Sequence, residues 1–227
     1  LPESAGGHLP GQLRLSLLLP LSFFISLLGL EFILSFGRTF VEPQVVLYVT
    51  KVLCFSPTQL GLLMSGHGCS MFVGALALSR LGERTGRRLA LGMGFFLQAL
   101  FPCGLLVLHQ FAFLLLAALL AGAGSGLILP LLCTYFLDSA PTAHQSKTQG
   151  IKEAAGAVGG LAGSLPAILA SHWISSHSAF VIASCLAVGS GCFTLLALRS
   201  RRPVRAAPPL PASTLPALSA LAASSET

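Results

Sequence analysis

Ser79-Arg80-Leu81-Gly82-Glu83-Arg84-Thr85-Gly86-Arg87-Arg88 separates two apolar runs, 59–78 and 89–108, each of membrane-spanning length. Crossing the hydrocarbon core as an α-helix takes about 20 apolar residues, so this charged segment reads as the connection between two transmembrane helices. The whole chain has the same texture. Its 227 residues are 54% hydrophobic and 9% charged, with a mean hydropathy of +0.83. A water-soluble domain carries about 25% charged residues, so that class is excluded.

Working outward from the charged segment, the apolar runs fall at about 13–47, 59–78, 89–108, 111–136, 150–174 and 179–198. The expectation is an all-α polytopic membrane protein, a bundle of six transmembrane helices over 13–202. The first run exceeds one perpendicular span and must tilt or project. Ser56-Pro57-Thr58, with Gln59 following, is a helix start, and His109-Gln110 leaves only a tight hairpin between the third and fourth runs. Residues 1–12 read as the end of a preceding loop. Residues 203–227, rich in Pro, Ala and Ser, read as a disordered tail. No basic segment followed by a short apolar core and a cleavage site opens the chain, so no signal peptide is expected.

Charge placement sets the orientation. With the N-terminus in the cytoplasm, all Lys and Arg except Arg38 and Lys51 fall on that side, as the positive-inside tendency requires. Both ends are then cytoplasmic and the number of spans even. Trp173 and Tyr48 would lie at the outer interface and Tyr135 at the inner one. The formal net charge of +6 therefore marks loops beside a bilayer, with no nucleic-acid partner. The six cysteines sit singly inside apolar runs and read as buried small hydrophobes.

Several residues are candidates for chemistry. Glu31, Arg38 and Glu42 fall in the first run at spacings of seven and eleven, which return to one helix stripe within roughly 20°. A carboxylate as deep as Glu31 needs water or a partner and marks a pathway by default; it is a candidate for carrying protons or a cationic part of a solute. Arg38 and Glu42, four apart, are spaced to pair on the helix surface, as a structural ion pair or as part of a site. His67, within Gly66-His67-Gly68, is a substrate or proton candidate beside the plainer reading of a packing histidine. Lys152 and Glu153 read as interfacial anchors first and gate partners second. Gly156, Gly159, Gly160 and Gly163 form two overlapping GxxxG spacings, a face along which helices approach closely.

The opening segment resembles the loop signature of the major facilitator superfamily, G-x-L-a-D-r-x-G-r-r. Glu83 stands at the acidic position, Arg84 at the basic one, Gly86 at the turn and Arg87-Arg88 at the basic pair, with Ser79 in place of the leading glycine. Phe40-Val41-Glu42-Pro43 and Phe55-Ser56-Pro57-Thr58-Gln59-Leu60-Gly61 look like the outer end of helix one or seven of that family. The resemblance covers about 13–202. The fourth run lacks the basic residue usual in the first half and a polar tail follows the sixth, so the chain is similar to the C-terminal six-helix half, in the drug:proton antiporter branch. The fifth run departs from the antiporter pattern, carrying Gly163-Ser164-Leu165-Pro166.

The resemblance implies secondary transport of a small organic solute by alternating access; proton coupling through Glu31, suggested by its depth, and facilitated uniport are both compatible with it. The site would lie between this bundle and a second six-helix bundle, either a missing N-terminal half or another copy. It also implies that Glu83, Arg84, Gly86, Arg87 and Arg88 form a cytoplasmic gating loop; the plainer reading is that the arginines only hold the loop inside. A six-span regulator without transport activity, or a homodimeric half-transporter, is the alternative. No hydrolase, phosphate-loop or zinc-peptidase motif occurs, so no enzyme is expected. The histidines are scattered without metal-ligand spacing, and no cofactor is expected.

Overall fold

The computed structural model describes residues 10–77, 85–139, 145–173 and 175–197, with side chains over 21–76, 85–139, 145–168 and 175–197. Every regular element among them is an α-helix: α1 (Pro10–Lys51), α2 (Pro57–Ala77), α3 (Arg87–Val107), α4 (Phe111–Asp138), α5 (Gln145–Trp173) and α6 (Ser176–Ala197). The ends follow local chemistry. Pro57 opens α2, where a missing N–H costs nothing, and Ser56 and Gln59 exchange bonds: Ser56 N–H donates to Gln59 Oε1 at 2.9 Å and Gln59 N–H to Ser56 Oγ at 3.3 Å. This is a capping box. Gly86 precedes α3 at φ +93°, a left-handed conformation that favours glycine.

Four helical stretches are long and apolar enough to cross a membrane on their own: Leu21–Lys51 of α1, Arg87–Val107, Phe111–Asp138 and Ser176–Ala197. Four of the six expected spans are thus seen; among the described residues α2 and α5 do not reach that apolarity. Their apolar content is diluted by Ser65, Gly66, His67, Gly68 and Ser70 in α2 and by Gln149, Lys152, Glu153 and the glycines in α5.

Helix packing has an internal symmetry. Helix α1 packs on α5 and α6, α2 on α4, and α3 on α4 and α6. Raising every number by three, cyclically, maps α1–α5 onto α4–α2 and α3–α4 onto α6–α1. The bundle is thus two three-helix repeats. An odd number of helices per repeat makes them run in opposite senses.

Glycines set the closest approaches. In α4, Gly122 and Gly126 lie against the backbone of α2 at His67 and Met71, while Gly124 lies against Gly94 and Leu97 of α3. Residues four apart share a helix face and the residue between them points the other way, so one Gly-x-Gly-x-Gly run serves two neighbours. In α5, Gly159 and Gly163 lie against the Phe32 and Phe36 carbonyls of α1.

Two apolar clusters plug the ends of the bundle. One, at the end carrying Arg87 and Arg88, joins Leu27 and Leu30 to Leu91, Phe95, Leu132 and Phe136. The other joins Val45 and Tyr48 to Leu63, Leu105, Leu114 and Phe180. Tyr48 is 3% exposed and packs edge-on to Phe180 and His177, so it is a core residue and not an interfacial belt residue. The cysteines also differ from expectation. Cys54, Cys69, Cys103, Cys185 and Cys192 are exposed and Cys133 is half-buried. In a lipid-facing bundle an apolar run does not imply burial, because the outer faces of the helices are apolar too.

Candidate functional site

Between the two apolar plugs lies a cavity of about 350 Å³, lined by α1, α2, α3, α4 and α6. Its polar lining comes from Arg38 and Glu42 of α1, His67 of α2, Gln98 of α3, and Ser125 and Ser190. The rest of the wall is apolar, including Val41, Leu63, Phe95 and Phe101.

Arg38 and Glu42 both reach this cavity with exposed side chains. They do not pair: the ion pairs among the described residues are Arg87–Asp138, Lys152–Glu31 and Lys152–Glu153. The order of the charges accounts for part of this, since an acid four residues before a base pairs better than the reverse. His67 Nδ1 lies 3.1 Å from the Ala118 carbonyl. A carbonyl only accepts, so the proton sits on Nδ1 and Nε2 is left as the second site of the ring. Gln98 Oε1 is a buried acceptor without a partner in the cavity wall, and the sequence reading missed it.

Glu31 lies elsewhere. It is 6% exposed, and its Oε1 is 3.9 Å from Lys152 Nζ of α5. Glu31 Oε2 has no hydrogen-bond partner. Lys152 is nearer to Glu153, at 2.8 Å, and Glu153 also accepts from Gln149 Nε2 at 3.1 Å. The ammonium therefore stands between a buried and a solvent-exposed carboxylate, with the closer bond to the exposed one. Lys152 is buried and not an interfacial anchor. Gly156, one turn on, makes room for this: a Cβ there would sit 3.1 Å from Glu31 Oε1 and 3.3 Å from Ser35 Oγ.

The single stripe expected for Glu31, Arg38 and Glu42 is divided because α5 follows the row Glu31, Ser35, Thr39. Successive residues of an i, i+4 row advance about 40° around the helix. At the level of Arg38 the contact has turned away, leaving Arg38 and Glu42 to the cavity. At Thr39 the hydroxyl lies between the Gly160 carbonyl of α5 at 3.0 Å and the Ser35 carbonyl of its own helix at 2.9 Å, and its one proton is shared between them.

Of the loop residues, Glu83 and Arg84 lie outside the described residues. Arg87 pairs with Asp138 at the end of α4, and Arg88 donates to the Leu195 carbonyl near the end of α6. Two consecutive arginines at the start of α3 thus hold the C-terminal ends of two other helices, where exposed carbonyls and the helix dipole favour cations.

A helical bundle with inverted three-helix repeats and buried ionisable groups defines a polytopic membrane protein. The sequence profile of the Major Facilitator Superfamily matches residues 27–225, and the chain belongs to that family. A curated relative, an uncharacterized transporter of Buchnera aphidicola subsp. Schizaphis graminum (strain Sg), is 20% identical over 168 residues, 74% of this chain and 41% of the relative. The chain thus spans less than half the length of that protein.

Proposed function

We propose that the protein is a secondary transporter that moves a small organic solute by alternating access, with this chain supplying one six-helix bundle of a two-bundle assembly. The observation that carries the reading is the mid-bundle cavity. Arg38, Glu42, His67 and Gln98 line it between two apolar plugs, and intramembrane ionisable groups mark solute or ion paths.

In this reading all six helices span the membrane and both ends face the cytoplasm, which places Arg87 and Arg88 at the cytoplasmic side. Their contacts to α4 and α6 then serve as the latch of the gating loop with Gly86, Glu83 and Arg84. The absence of Lys and Arg from α4 favours the C-terminal of the two bundles. Glu31 is the coupling carboxyl, exchanging a proton as Lys152 alternates between Glu31 and Glu153.

The test is uptake of a solute panel by the full-length protein in proteoliposomes, with and without a pH gradient. Wild type is expected to accumulate its solute when the gradient is imposed. Glu31→Gln is expected to lose gradient-driven accumulation and keep exchange. Unchanged gradient dependence in Glu31→Gln removes Glu31 from coupling, and no uptake of any solute defeats the transporter reading.

A further inference from the structure

The wall of the mid-bundle cavity has an unequal set of hydrogen-bonding groups. Arg38 is its one cation, a fork of N–H donors that matches a carboxylate in bidentate fashion. Against it stand the exposed Glu42 carboxylate and, as a neutral acceptor, His67 Nε2. An uncharged polyol would leave both charges unmatched. A simple anion would leave Glu42 repelled, and a simple cation would leave Arg38 so.

We propose that the cavity binds a small zwitterion, an ammonium carboxylate carrying an apolar body. Its carboxylate lies on Arg38, its ammonium meets Glu42, and its apolar part lies against Val41, Leu63 and Phe101. Three features fit one another. Arg38 and Glu42 are separated by one turn, about 6 Å along the helix axis, so a single small head group reaches both. They do not pair with each other although their spacing permits it, which leaves both charges available to a ligand. The cavity volume of about 350 Å³ lies within the range of ligand pockets, about 300 to 1,000 Å³, and admits an amino-acid-sized solute. The proposal rests on the transporter reading for its consequence in the membrane, and on the cavity alone for binding.

The test measures affinity by thermal stabilisation of the purified full-length protein, using two matched series: leucine, 4-methylpentanoate and 3-methylbutylamine; and phenylalanine, 3-phenylpropanoate and 2-phenylethylamine. Each series keeps the hydrocarbon and removes one charge. At least one zwitterion is expected to bind about tenfold or more tightly than both of its singly charged analogues, as loss of a charged hydrogen bond implies. Arg38→Gln should abolish the advantage of the carboxylate, bringing the zwitterion level with the amine. Glu42→Gln should bring it level with the acid. Neither zwitterion exceeding its analogues overturns the proposal, and so does an advantage that survives both substitutions. Uptake by proteoliposomes separates the two readings. Transport of other solutes without any zwitterion preference removes this site and leaves the transporter, whereas zwitterion binding without uptake keeps the site and removes transport.

Discussion

The helix pairs α1–α5 and α2–α4 correspond within the bundle, yet the glycines that close them sit on non-corresponding members, α5 in one and α4 in the other, and the two are loaded with different chemistry. Both are parallel, and both close through glycines set four apart against the carbonyls of the neighbour: Gly159 and Gly163 on Phe32 and Phe36, Gly122 and Gly126 on His67 and Met71. Across α2–α4 the polar link is a histidine N–H on the Ala118 carbonyl. Across α1–α5 it is the Thr39 hydroxyl on the Gly160 carbonyl together with a buried carboxylate and ammonium. Glycine packing therefore supplies the association of each pair, and the charge in α1–α5 is surplus to it. A buried ion pair is weak evidence for stability. Its presence in only one of two corresponding pairs points to a role in conformational change or coupling.

Removing the charge from one side gives the largest separation between the pairs. Lys152→Met leaves Glu31 buried without a counter-ion, and breaking a buried pair in this way costs about 3–5 kcal/mol. Thermal unfolding in detergent should show that loss at neutral pH. The loss should shrink as the pH falls, because a proton discharges the stranded carboxyl. Glu31→Gln combined with Lys152→Met should recover most of the stability. A double variant as unstable as Lys152→Met alone would show that the lysine acts through something other than Glu31.

Next in size is a change that should treat the pairs alike. Gly163→Val and Gly126→Val each place a Cβ on a facing carbonyl, of Phe36 and Met71 respectively. Overpacking of this kind costs about 1–3 kcal/mol, and the two losses should be similar. A large difference between them would show that the two glycine contacts do not hold their helix pairs equally.

The smallest effect is expected from Thr39→Val, which keeps the shape and removes the hydrogen bond to Gly160. Such bonds between membrane helices average about 0.6 kcal/mol. A loss several times larger in a denaturation curve would mean that α1–α5 depends on polar links more than on glycine packing.

Much of this was legible along the chain. The box Ser56 to Gln59 and the left-handed Gly86 are local features, set by side chains within a turn of the backbone they satisfy. The GxxxG spacing marked α5 as a close-packing helix without naming α1 as its partner. Lys152 went unrecognised as the neighbour of Glu31 because a lysine at the polar edge of an apolar run reads equally well as a headgroup anchor.

The sequence by itself determined that the chain makes long helices, that most of them are apolar enough for lipid, and where the small faces and stray charges lie. These follow from local composition and from the 3.6-residue period, which need no knowledge of neighbours. Only the tertiary structure decided which faces meet. The drift of the i, i+4 row along α1 hands Glu31 to α5 and turns Arg38 and Glu42 into the cavity, because crossing helices share a contact line inclined to their axes and not parallel to them.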